Sequence, residues 1–161
     1  MIFGLSVQDF TLLHVILSLI GIGSGLVWLV GLVAGRWLPV WDGAFLMTTV
    51  ATTLTGFLFP ITAFTPALGV GLISTLALTI AIVARYAFHL RGRWLGVHVV
   101  SAALALYLNA FVAVVQSFLK IGALNALAPN GNEPPFALAQ GIVLVIVASL
   151  GFLAWRRRAH P

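Results

Sequence analysis

His14, Gln116 and Gln140 each stand about one helical turn from the same end of an apolar run, and Lys120 stands just beyond them. Polar side chains inside a membrane segment turn inward and find each other. One histidine and two carboxamides, with an ammonium group above them, can hold a small polar ligand by hydrogen bonds or accept a proton from it. The same residues also suit a hydrogen-bonded layer that fixes helix register. Asn109 lies deeper in the segment that carries Gln116 and needs a partner. The hydroxyls of Thr48, Thr52, Thr55 and Thr62 recur on one face of another segment and are the candidates. Each hydroxyl can instead bond the carbonyl one turn back, which satisfies it at no cost in lipid.

A second pair, His89 and His98, flanks the hairpin tip Arg91-Gly92-Arg93, with Arg85 also beside them. On antiparallel neighbours the two rings are level, which suits axial ligation of a haem iron or two nitrogens for another metal. The arrangement is similar to that of small helical b-type cytochromes. There the ligands approach from helices on opposite sides of the haem, whereas here they belong to one hairpin. Haem b at His89 and His98 is therefore an alternative reading, and interfacial histidines beside lipid phosphates are the plainer one. No nucleophile–base pair, glycine-rich phosphate loop or zinc-protease motif occurs, so the residues give no positive support for an enzyme.

Helices must position these groups. The stretch Trp94 to Lys120 has its polar and small residues, among them His98, Ser101, Asn109 and Gln116, on one stripe. Such a helix turns its stripe to other helices and its apolar flank to lipid. Apolar runs of spanning length predict five transmembrane helices at about residues 10–35, 43–62, 66–90, 94–120 and 136–155. Asp9 and Asp42 are the expected N-caps of the first two, and Thr65-Pro66 of the third. Only a tight turn at residues 59–64 separates spans two and three. Gly21 and Gly25, and again Gly31 and Gly35, have the spacing that lets backbones approach closely. The loop from Ile121 to Pro135 carries an apolar patch, Ala123 to Ala128, suited to the membrane surface or to the bundle's mouth.

Of eight Lys and Arg residues, Arg36, Arg85, Arg91, Arg93 and Arg156 to Arg158 fall on one side of a five-span bundle, and Lys120 alone on the other. The positive-inside rule then places the N-terminus outside and the C-terminus in the cytoplasm. The start, MIFGLSVQDF, lacks the basic segment of a cleavable signal.

Composition sets the class. The chain has 161 residues, 61% hydrophobic and 7% charged, with a mean hydropathy of +1.15. A soluble domain has about 25% charged residues, so lipid is the solvent for much of this surface. The basic residues sit at the ends of apolar runs and make no nucleic-acid footprint. Cysteine is absent, which excludes thiolate chemistry. The three acidic residues, Asp9, Asp42 and Glu133, all fall near span ends, which disfavours carboxylate-driven proton pumping. The expectation is a single all-α polytopic domain in a bilayer, such as a bacterial inner membrane. It would act as a subunit of a larger membrane complex, or as an oligomer that holds a small or apolar ligand in its outer half at His14, Gln116, Gln140 and Asn109. A small transporter or channel along His98, Ser101, Asn109 and Gln116 is the remaining alternative.

Overall fold

The computed structural model describes residues 4–59 and 65–157, and every regular element among them is helical. Helix α1 spans Val7–Val33, α2 Pro39–Phe57, α3 Pro66–Ile82, α4 Arg93–Lys120, α5 Gly122–Leu127 and α6 Pro134–Arg157, and a π-helical turn, Val83–Ala87, extends α3. Helices α1, α3 with its extension, α4 and α6 are each long and apolar enough to cross a membrane. This marks a membrane protein. Helix α2 is shorter and is diluted by Asp42 and by its threonines, so it does not belong to that set. All but Phe59 of the turn expected at residues 59–64, Thr62 included, and Arg158 lie outside the described residues.

Local chemistry explains most helix ends. The cap of α1 is Ser6, not Asp9: Ser6 Oγ accepts from Asp9 N at 3.1 Å and donates to the Asp9 carboxylate at 2.6 Å. The first of these bonds satisfies one orphan N–H of the first turn, and the second fixes the cap side chain. Thr65 caps α3 by accepting from Leu68 N at 3.3 Å, with Pro66 at the first helical position. Asp42 is not a cap either. Helix α2 begins at Pro39, one turn earlier than the acidic residue suggested, and Leu38 at its cap makes no side-chain bond. Asp42 is left free to reach into the bundle.

Long helices that follow one another in the chain run antiparallel. His14 meets Thr55 across α1 and α2, Gly71 lies under Phe57 across α3 and α2, and Gln140 reaches Phe111 across α6 and α4. One end, the arginine end, gathers the α1–α2 and α3–α4 connections and the end of α6. There Arg157 Nη1 donates to Val33 O at 2.6 Å, closing the carbonyl end of α1. The opposite, lysine end carries Lys120 and α5, where Asn125 Nδ2 donates to Phe118 O at 3.1 Å.

The first glycine pair is consumed inside the chain. A Cβ on Gly21 would lie 2.9 Å from Thr49 Oγ1 and 3.1 Å from Asn109 Nδ2. A Cβ on Gly25 would lie 2.7 Å from the Phe45 ring and 2.9 Å from Leu106 Cδ1. These absences of side chain let α2 and α4 close on α1. Gly31 packs under Leu38, and Gly35 takes a positive φ of 75° in the connection, so the second pair serves a turn and not a helix seam. The core is a fully buried layer of Trp28, Leu29, Phe45, Ala102, Ala105 and Leu106. Large apolar side chains such as Leu12, Leu19, Leu76, Val145 and Phe152 face outward, as a lipid environment requires.

Candidate functional site

Polar groups gather at two levels, one on each side of the Trp28–Phe45–Leu106 layer. Towards the lysine end, α1, α2, α3 and α4 splay around a cavity of ≈ 520 Å³. That lies within the usual range for small-molecule sites, about 300–1,000 Å³. His14 and Ser18 line it from α1, Thr49, Thr52, Thr53 and Gly56 from α2, Gly71 and Ser74 from α3, and Asn109, Gln116 and Lys120 from α4. Along α4 the lining runs from Leu108 to Lys120, a depth of about 18 Å at 1.5 Å per residue.

Three of the four candidate ligand residues, His14, Gln116 and Asn109, share this cavity. The helices around it differ from those expected. Gln140, on α6, does not line it: its Nε2 donates to Phe111 O at 3.2 Å, behind α4. Depth along the membrane is readable from sequence position, but rotation about α6 and the order of helices around the bundle are not. Helices α2 and α3 occupy the place that depth matching assigned to α6.

Asn109 also finds a different partner. Ser18 Oγ donates to Asn109 Oδ1 at 2.7 Å, and Asn109 Nδ2 lies 3.4 Å from Ser18 O, so the amide is held by α1. The threonines of α2 bond backwards instead: Thr48 to Ala44 O, Thr52 to Thr48 O and Thr55 to Ala51 O, at 2.7, 2.9 and 2.7 Å. Thr49 is the exception. Its Oγ1 is buried without a hydrogen-bond partner at the cavity floor. His14 Nδ1 lies 2.8 Å from Thr55 Oγ1. With the Thr55 hydroxyl hydrogen directed to Ala51 O, Nδ1 of His14 is the donor in this pair. That leaves Nε2 of a neutral His14 as an acceptor. Among the described residues the lining contains no carboxylate, and its charge-bearing groups are His14 and Lys120.

Towards the arginine end the polar groups fill their own space. Asp42 and His98 are both fully buried. Arg85 Nη1 pairs with Asp42 Oδ2, and the Arg85 side chain is 14% exposed. Arg85 Nη2 donates to Pro39 O at 3.2 Å, and its guanidinium lies 5.8 Å from the centre of the Trp37 ring. His98 Nδ1 lies 2.9 Å from Ala81 O, while Nε2 lies 3.1 and 3.2 Å from the two Asp42 oxygens. The edge of His98 meets Trp28 at 5.4 Å between ring centres, and Trp28 stacks on Phe45 at 6.0 Å. The π turn sets this geometry: Phe88 N donates to Val83 O, five residues back, and Arg85 sits within that turn.

This cluster was not visible in the sequence. Asp42 read as a helix cap, and Arg85 as a topology-setting arginine that also flanks His89 and His98. The acidic residue placed near a span end is in fact enclosed by the bundle. His89 and His98 do not form a level pair. His89 is exposed, in a turn where it and Leu90 take positive φ values of 49° and 57°, while both nitrogens of His98 face oxygen acceptors. Axial haem ligation by His98 would require giving up the contact with Asp42 or that with Ala81.

A smaller groove of ≈ 320 Å³ between α4 and α6, lined by Ala103, Tyr107, Gly151 and Phe152 among others, is almost wholly apolar and suits lipid chains. The chain matches no family model, no curated protein and no solved structure.

Proposed function

We propose that this is a five-span inner-membrane protein, with α2 as its fifth crossing and its arginine end in the cytoplasm. In this reading it binds a small amphipathic ligand from the lysine end. The observation that carries the reading is the ≈ 520 Å³ cavity in which His14, Asn109 and Gln116 converge. Its chemistry favours an acidic or acceptor-rich group near Lys120 and His14, because among the described residues the lining holds no carboxylate to repel it. Val15, Val70, Leu108 and Val112 on the walls would take the apolar part. The antiparallel packing of α2 against α1 supports a full crossing, and the run of arginines at one end supports the orientation.

The test is extraction in native lipid, followed by mass spectrometry of the small molecules retained. Wild type is expected to carry a stoichiometric ligand that Val112→Trp, which fills the cavity, does not. Equal small-molecule content in both proteins would count against the reading. Assembly into an oligomer or a larger membrane complex is a separate proposal, since Gly21 and Gly25 are occupied within the chain. The transporter alternative needs movement: between His98 and Asn109 the stripe is closed by buried Ala102, Ala105 and Leu106.

A further inference from the structure

We propose that Asp42 and His98 form a proton-binding site that holds one dissociable proton between them, opposed by Arg85. The geometry leads there from the atoms. Ala81 O is an acceptor only, so the 2.9 Å contact requires a hydrogen on His98 Nδ1. A neutral imidazole with its hydrogen on Nδ1 presents a lone pair at Nε2. That lone pair would face the two Asp42 oxygens at 3.1 and 3.2 Å. Three acceptor atoms cannot share that space without a hydrogen among them. The alternative neutral tautomer moves the conflict to Ala81 O. One proton beyond neutral His98 and ionised Asp42 resolves it. It sits on Nε2 and is donated to the carboxylate, or it sits on the carboxyl and is donated to Nε2.

The surroundings set what this proton responds to. The charged group facing the pair is Arg85, from the π turn of α3. Helix α1 contributes Trp28 and the α1–α2 connection contributes Trp37, neither of which titrates. Arg157 of α6 is directed to Val33 O instead. Arg85 favours the ionised carboxylate and opposes an imidazolium, so the proton is held by hydrogen-bond geometry against the guanidinium's field. The 14% exposure of Arg85 leaves the arginine end as the side from which protons arrive. On the other side Trp28 and Phe45 close the site towards the cavity. Loss of the proton turns the contact between α2 and α4 from attraction to repulsion. Because His98 rests on Trp28, that change acts on the layer beneath the cavity.

The test uses the full chain, labelled with ¹⁵N-histidine, in lipid nanodiscs. Nitrogen NMR reads which His98 ring atoms carry protons, with His98→Gln used to assign the signal, and infrared spectroscopy reads a protonated Asp42 carboxyl. At neutral pH, His98 protonated on both nitrogens, or a neutral Asp42 carboxyl, is the expected result, with one proton lost per chain on raising the pH. Asp42→Asn offers an amide that satisfies neutral His98, so one ring proton should remain there and the carboxyl band should vanish. A wild-type protein with one ring proton on His98 and an ionised Asp42 at neutral pH overturns the proposal. The overturning result is read on the wild-type chain, and the variants serve to assign its signals.

Discussion

At the lysine end His14, Asn109 and Gln116 stand around open space, whereas at the arginine end Asp42, Arg85 and His98 fill theirs with one another. The same four helices supply both levels. The difference lies in what separates them. Near the arginine end α2 and α4 meet over Gly25, and Trp28 fills the middle. Farther along, threonine, serine and glycine line the helices where bulkier side chains would have closed the gap. An enclosed ionic cluster is costly to break and answers to few groups. An open polar wall is cheap to alter and free to bind. Stability should therefore track the cluster, and ligand content the cavity.

The largest effect should come from Asp42→Ala. Removing one partner of a buried pair leaves the others without compensation and costs about 3–5 kcal/mol. The thermal unfolding midpoint in detergent should fall steeply, with ligand content lost only as the fold is lost. Next is Gly25→Val, which drives a side chain into Phe45 and Leu106. Overpacking of this kind costs about 1–3 kcal/mol, and the same midpoint should fall by a smaller amount. If Gly25→Val unfolds no more easily than wild type, the layer between the two levels is looser than described. Smallest is Asn109→Leu, which gives up the Ser18 contact on the cavity floor. Hydrogen bonds between membrane helices are worth about 0.6–2 kcal/mol, so stability should change little while retained ligand decreases. A loss as large as that of Asp42→Ala would erase the distinction between the two regions.

Much of the fold was legible because lipid imposes strong rules. Apolar runs of spanning length marked α1, α3, α4 and α6, and Thr65-Pro66 marked a helix start by capping chemistry alone. Depth was also legible, which is why His14, Asn109 and Gln116 come to one cavity. Rotation and neighbour order were not. Gln140 has the right depth on a helix that packs behind α4, and Asn109 turns to Ser18 while Thr48, Thr52 and Thr55 spend their hydroxyls on their own backbone. The ionic cluster was hidden for another reason. Asp42 and Arg85 are far apart in the chain, each has an ordinary local explanation, and the π turn that aims Arg85 has no signature in the residues around it.

The chain has no cysteine, so single cysteines report water access without background. Thr53 lines the cavity wall and Ala105 is fully buried in the layer below it. A small, membrane-impermeant thiol reagent applied from each side of sealed vesicles measures both positions. Thr53→Cys should react from the lysine side only, and Ala105→Cys from neither. Labelling of Ala105→Cys, or protection of Thr53→Cys from both sides, would contradict an open cavity above a closed layer.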